Sequence, residues 1–407
     1  MRTERPLAVY VHIPFCVRKC AYCDFLSFPS DPADGRAKEK RGRYFDALLS
    51  EIAAIPEDLP KGRTVRSIFF GGGTPSLADS RQIAAVLKSL RERFAVAGDA
   101  EITLECNPGT ATPEKLRELR DAGVNRLSIG VQSFSDRELR ILGRIHTAAE
   151  AGRCFAEARE SGFTNINLDL MAALPGQTQD ALLRSVSQAI RLSPEHISLY
   201  SLIIEPGTPF YERYADEVPD PHYDRQRSDG KRSLTGGEHL PDEETERGML
   251  HAAEKRLSDA GYQRYEISNY ARSPEYRCRQ NLAYWQRQEY LGLGLGAASL
   301  VDEIRFSNTR DPERYLKSNG RPEREDREVL SVESRREEFM FLGLRLAEGI
   351  SEARFRELFA VPVDDVYGET IRRLVAEDLL VRRDGRIFLT ARGTDLANVV
   401  MAEFLTC

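Results

Sequence analysis

Six short β-branched segments, separated by stretches with apolar residues at three- and four-residue spacing, constrain this chain more than any other feature. The segments are Leu7 to Ile13, Val65 to Phe70, Glu101 to Glu105, Arg126 to Val131, Asn165 to Met171 and His196 to Ile203, and runs of this kind read as strands. Helical spacing recurs around 41–55, 79–94, 113–122, 147–161 and 178–192. Strands alternating with helices pair in parallel through right-handed crossovers. An open doubly wound sheet and an incomplete barrel both satisfy that pattern, and the polar residues separate them. A cysteine-rich segment follows strand one, Gly71-Gly72-Gly73-Thr74-Pro75-Ser76 follows strand two, Glu105 ends strand three, Gln132 follows strand four and Asp169 lies near the end of strand five. Successive strand carboxyl ends converge at the mouth of a barrel. The expected fold class is therefore α/β, with a partial (β/α)6 barrel over residues 1–215.

At 407 residues the chain exceeds one ordinary core of about 200–250 residues, so further units are expected. Residues 216–242 are polar and dotted with Pro and Gly, and read as a surface loop. Residues 243–325, with helical spacing over 243–259 and a strand-like Tyr262 to Tyr270, read as an α+β extension packed on the barrel. Residues 326–407 carry three helix-like stretches (Arg335 to Leu346, Ser351 to Phe359, Val366 to Glu377), a hairpin about Arg383-Asp384-Gly385-Arg386 and a last helix from Ala391. That order is winged-helix-like. A packing module is the better reading than DNA binding, since Arg382-Arg383-Asp384-Gly385-Arg386 is its one basic element.

A net charge of -6 argues against a nucleic-acid partner. No apolar run approaches the roughly 20 residues that span a bilayer, so no integral membrane segment is expected. The opening Met1-Arg2-Thr3-Glu4-Arg5-Pro6 runs straight into an apolar strand without a presequence pattern. Cys106, Cys154, Cys278 and Cys407 are scattered and do not suggest a disulfide framework. A cytoplasmic protein is the expectation.

The remaining cysteines, Cys16, Cys20 and Cys23, fall within eight residues. Thiolates at this spacing can ligate three irons of a four-iron cluster and leave the fourth iron open to a ligand. The alternative is zinc with His12 as fourth ligand.

With a tyrosine before the last cysteine and a glycine-rich turn one strand later, this cluster resembles that of the radical S-adenosylmethionine superfamily. Tyr10-x-His12-Ile13-Pro14-Phe15-Cys16, Phe70-Gly71-Gly72-Gly73-Thr74-Pro75, Ile129-Gly130-Val131-Gln132-Ser133-Phe134, Asp169-Leu170-Met171 through Leu174-Pro175-Gly176, and Tyr265-Glu266-Ile267-Ser268-Asn269-Tyr270 resemble the oxygen-independent coproporphyrinogen III oxidase group. The likeness runs from residue 7 to about 300 and extends to the C-terminal appendage. It implies a 4Fe-4S cluster on the three cysteines, S-adenosylmethionine chelating the open iron, and a 5'-deoxyadenosyl radical after reductive cleavage. It also implies an electron donor such as a flavodoxin or ferredoxin. Gly72, Gly73 and Thr74 would take the methionyl amino group, where glycine lets backbone approach a ligand closely. Glu105 suits the ribose hydroxyls, and Arg144 suits the methionyl carboxylate as a bidentate partner. By resemblance Tyr10, Gln132 and Asp169 complete the pocket, with Tyr22 and Phe25 beside the adenine.

Within the group, a true oxidase carries a further cysteine two residues after the third cluster cysteine, where this chain has Phe25. Phenylalanine there resembles the heme chaperone branch, which implies heme and an acceptor hemoprotein as partners. Two branch histidines are missing. Gln280 stands in one place, within Cys278-Arg279-Gln280-Asn281-Leu282-Ala283-Tyr284-Trp285, and Ala298 in the other. Neither side chain ligates heme iron. His146, Cys278 and Tyr284 are nominal substitutes, each better read as structural, so the heme ligand stays open. The rival readings are a radical enzyme acting on a porphyrin side chain, and a structural zinc or iron-sulfur protein that has kept the fold alone. Gly292-Leu293-Gly294-Leu295-Gly296-Ala297 fits a dinucleotide fingerprint but lacks a following helix pattern. A glycosidase pair of Glu105 and Asp169 leaves the cysteines unexplained.

Overall fold

The computed structural model describes residues 5–217 and 238–405, so most of the expected polar loop, residues 218–237, lies outside the described residues. Six parallel strands form in chain order: β1 (Arg5–Ile13), β2 (Arg63–Gly72), β3 (Ala95–Cys106), β4 (Arg126–Gln132), β5 (Ile166–Ala172) and β6 (His196–Ser201). Each pairs with its sequence neighbour. Helices α1 (Gly35–Ala53), α2 (Ser80–Arg93), α3 (Pro113–Ala122), α4 (Asp136–Ile141), α5 (Ala148–Glu160) and α6 (Gln179–Leu192) connect them.

Side-chain caps set the helix starts. Asp79 and Thr147 make reciprocal capping boxes with Gln82 and Glu150. Helix α1 begins several residues before the helical spacing does, because Asp34 accepts from the Arg36 N–H ahead of a charged first turn. The short α4, capped by Ser135, is absent from the sequence reading, being too brief to show a period.

The parallel sheet continues at both edges into twelve strands. Next to β6 the strand-like segment predicted over 262–270 is instead a pair of short antiparallel strands, Gln263–Glu266 and Asn269–Ala271. Next to β1 lies a further parallel strand, Glu289–Leu293, which leads into an antiparallel meander of Ala298–Val301, Ile304–Asn308 and Arg324–Val329. A Cβ on Gly292 would lie 2.2 Å from the Ala298 carbonyl oxygen. This glycine therefore serves close strand approach, and the fingerprint-like segment runs on into another strand rather than into a helix.

Alternation along the strands builds two environments. Val9 and Val11, Leu127 and Ile129, and Leu168 and Leu170 face the helices and join one large apolar core with Leu48, Leu87 and Val186. Tyr10, Glu105, Ser128, Asp169 and Ser198 face inward and line one cavity together with Tyr284 and Tyr290 from the opposite edge. Residues from opposite edges of the parallel sheet, such as Ser198 and Tyr290, share that cavity, so the sheet curls into a partial barrel.

The C-terminal segment has a core of its own, centred on Phe339, Phe355, Phe359, Tyr367 and Phe404. Helices Val332–Gly343, Glu352–Phe359 and Asp364–Ala376 pack with a three-stranded sheet of Ile350–Ser351, Leu380–Arg383 and Arg386–Leu389. It docks through backbone bonds from Ile267 N–H to Arg345 O and from Ala347 N–H to Tyr265 O. A buried ion pair from Arg287 to Glu338, at 2.8 Å, reinforces the contact. In the wing Arg382 is clamped by Glu352 and Asp364, both at 2.7 Å.

Candidate functional site

The cysteine segment is held on both sides by backbone bonds. Phe28 N–H donates to Pro14 O and Ser30 N–H to Cys16 O, closing the loop at its base. Ala21 N–H donates to Leu142 O, and the Arg18 guanidinium reaches Gly143 O at 2.7 Å, fixing the loop tip to the segment after α4. The glycine turn is pinned beneath it by Gly73 N–H to Ile13 O and Thr74 N–H to Phe15 O. A Cβ on Gly73 would sit 2.7 Å from both the Phe15 nitrogen and oxygen, and Gly72 holds φ +107 against the His12 ring. Only glycine permits this approach.

Cys16, Cys20 and Cys23 are free and half-buried. Thr74 Oγ1 donates to Cys16 Sγ at 3.5 Å, and Arg144 Nη1 donates to Cys20 Sγ at 3.5 Å. Burial pushes the Cys16 thiol up and the Cys23 thiol to about 11, with the neighbouring sulfurs adding to the Cys23 shift. Thiols such as Cys16 and Cys23, which resist ionisation by themselves, become thiolates readily when cationic iron shares the nest. This donor set fits a cluster. It does not fit the zinc alternative with His12, because His12 Nε2 donates to Leu26 O at 2.8 Å while Nδ1 accepts from the Tyr10 hydroxyl at 3.0 Å. Both ring nitrogens are engaged, and burial holds the imidazole neutral.

Around the nest the strand ends carry the other expected residues. Glu105 Oε2 accepts the Gly72 N–H at 3.1 Å. Burial, and then the nearby Asp169, push its carboxyl up to about 8. Asp169 is also raised, by burial above all, although Asn167 Nδ2 at 2.7 Å and Ser128 Oγ at 3.1 Å donate to it. Arg144 donates to Gly130 O at 2.6 Å and to Asn107 Oδ1, placing its planar head between the cysteine loop and β4. Gln132 ends β4 in the left-handed region at φ 67, a strained conformation for this residue. Tyr22 packs on Phe210, and Phe25, 63% exposed, stands at the cavity mouth. The expected residues thus meet around one cavity of about 890 Å³.

Sequence reasoning missed Asn107, which ties Thr74 to Arg144. It also missed the lumen positions Arg126, Ser128 and Asn167. Period-two alternation back from Gln132 would have found the β4 pair. Among the nominal heme ligands, His146 is buried against Val131 O and lowered to about 4 by burial and then Arg144. Burial pushes the Cys278 thiol, which donates to Glu101, up to about 12. Tyr284 accepts from Gln280 Nε2, and Gln280 Oε1 accepts from Ser67. Gln280 is therefore a buried bridge, whereas Ala298 is exposed on the cavity rim.

A parallel partial barrel with three thiols beyond its first strand and a glycine turn beneath them defines a radical S-adenosylmethionine protein. Residues 10–189 match the Radical SAM superfamily, and residues 330–396 match the HemN C-terminal domain. The chain is 34% identical over 404 residues to heme chaperone HemW of Lactococcus lactis subsp. lactis (strain IL1403), covering 99% of this chain and 98% of that one. It is 35% identical over 407 residues to heme chaperone HemW of Escherichia coli (strain K12), covering 98% of each. The solved coproporphyrinogen III oxidase (HemN) of Escherichia coli, a radical SAM enzyme, superposes with TM-score 0.80 at 25% identity over 98% of this chain and 90% of that one. The chain belongs to the HemW family of the radical SAM superfamily. Membership of the superfamily implies a 4Fe-4S cluster and S-adenosylmethionine as cofactors.

Proposed function

We propose that this protein is a heme chaperone that binds heme and delivers it to an acceptor hemoprotein in the cytoplasm. The supporting observation is the likeness to heme chaperones along the whole chain, C-terminal domain included. Cys16, Cys20 and Cys23 would hold the cluster. Tyr10, Tyr22, Phe25, Gly72, Gly73, Thr74, Glu105, Gln132, Arg144 and Asp169 would hold S-adenosylmethionine. When bound, the reduced cluster supplies the electron for cleaving the cofactor's sulfonium bond, and a flavodoxin or ferredoxin would supply that electron in turn. The chain's own residues orient and exclude: Arg144 presents a bidentate donor to a carboxylate, and Glu105 accepts hydrogen bonds from hydroxyls once ionised. The functional units are a barrel over 1–215, a connecting segment over 216–242, an extension over 243–325 and a C-terminal domain over 326–407. No described helix is long and apolar enough to cross a membrane.

A porphyrin-modifying activity is the second reading, favoured by the likeness to coproporphyrinogen III oxidase. Phe25 in place of the oxidase cysteine weighs against decarboxylation. The test is anaerobic reconstitution with iron and sulfide, followed by electron paramagnetic resonance with and without S-adenosylmethionine and a heme titration on the same sample. A four-iron signal perturbed by the cofactor, stoichiometric heme uptake and no conversion of coproporphyrinogen are expected. Cluster assembly without heme uptake would overturn the chaperone reading, and product formation would favour the second.

A further inference from the structure

The cavity runs deeper than the cofactor residues do. Those residues cluster at the strand carboxyl ends, whereas the cavity also reaches Arg126, Cys278 and Asn281. Arg126 opens β4 and Gln132 closes it, and six strand steps span about 20 Å. The cavity is therefore one chamber that continues from the cofactor cradle toward the strand starts.

Arg126 is 1% exposed and faces this chamber. Its Nε lies 3.9 Å from Glu101 Oε2, too far for a hydrogen bond. The Glu101 Oε1 is taken by the Arg279 N–H at 2.9 Å and by the Cys278 thiol. Among the described residues no hydrogen bond reaches the Arg126 guanidinium, and its Nε is buried without a partner. The buried Arg63 and the half-buried Arg144 differ in that hydrogen-bond partners meet their terminal nitrogens, although the Arg144 Nε also lacks one. Arg144 is bonded to Asn107, Gly130 and Cys20, and Arg63 to Glu289 and Asp302. A desolvated guanidinium whose donors are turned into a cavity is costly unless a ligand completes it. The match for its planar fork is a carboxylate. The chamber walls suit an apolar body on that ligand, since Phe69, Tyr284 and Tyr290 line it, the two tyrosines in edge contact at 4.9 Å.

We infer that Arg126 anchors a carboxylate of an apolar-bodied organic ligand that enters the barrel beneath the cofactor. The identity of that carboxylate as a porphyrin propionate rests on the heme reading above.

The test is titration of the full, cluster-reconstituted protein with hemin and with hemin dimethyl ester, whose propionates are blocked. The wild type binds hemin at least tenfold more tightly than the ester. Arg126→Met loses that preference, Arg126→Lys keeps part of it, and S-adenosylmethionine affinity stays unchanged in both. Should Arg126→Met misfold by leaving Glu101 unpaired, the double variant Glu101→Gln/Arg126→Met removes both charges and makes the same comparison. Equal binding of acid and ester by the wild type, or loss of cofactor affinity in Arg126→Met, overturns the assignment. If hemin does not bind, coproporphyrin III and its tetramethyl ester replace it. An Arg126-dependent preference for the free acid then leaves the anchor standing while the heme reading falls, and no binding of either acid defeats both.

Discussion

The lumen of the barrel and the core of the C-terminal domain are both enclosed, yet they are built on opposite rules. In the C-terminal core Phe339, Phe355 and Phe359 pack with ring centroids 4.7 to 5.8 Å apart, and little there asks for a partner. A (β/α) barrel interior is ordinarily filled by branched apolar side chains. Here it holds Tyr10, Glu105, Arg126, Ser128, Asn167, Asp169 and Ser198 around open volume. Two of its carboxyls are pushed toward protonation and one guanidinium lacks a hydrogen bond. Where the interior departs from close apolar packing the chain has kept space and unspent polar capacity for ligands, and the apolar shell outside the strands carries the stability.

If that division holds, the two regions respond to substitution independently. The largest effect is expected at the cysteine nest: Cys20→Ser abolishes cluster absorbance after reconstitution, while the thermal midpoint of the apo protein moves by no more than about 2 °C, as for a half-exposed side chain. Retention of full cluster absorbance would remove Cys20 from the nest, and gross unfolding would show that the lumen carries stability after all. Phe355→Ala is the reverse case. Phe355 is fully buried, so truncation costs about 3–5 kcal/mol, read by denaturant titration, with iron content per folded molecule unchanged. Loss of cluster in that variant would show that the two regions are coupled through the Glu338 and Arg345 contacts.

The same contrast explains what could be read before folding. Strands and helices of the barrel were legible because one face of each is strictly apolar, as in Leu127, Ile129 and Val131. The site was legible where residue types are chemically rare, in the cysteine triplet and the glycine turn. Arg126 and Ser128 were not, because a charged or small polar residue at a strand start looks like solvent-facing surface until the curl of the sheet encloses it. Gln280 shows the limit from another side. Its place in a motif suggested a missing ligand, whereas its contacts with Ser67 and Tyr284 make it a buried bridge, a role set by a residue more than 200 positions away.

The smallest expected effect concerns protons in the lumen, and it tests whether the polar interior is costly without its ligands. Glu105 is raised to about 8 in the folded protein against an ordinary glutamate value of about 4.3, so the folded state holds this proton more tightly than the unfolded chain does. The resulting stabilisation is complete below about pH 4.3, declines as the unfolded chain's glutamate ionises, and is lost once pH rises through about 8. The thermal midpoint of the apo protein therefore falls by several degrees between pH 5 and pH 9. Glu105→Gln, which keeps an acceptor for the Gly72 N–H and never ionises, flattens most of that slope. Asp169, shifted in the same direction, leaves the remainder. Identical pH slopes in wild type and variant would mean that water or a rearranged Arg126 already neutralises the pair, and the lumen would then be less poised for ligand than its geometry implies.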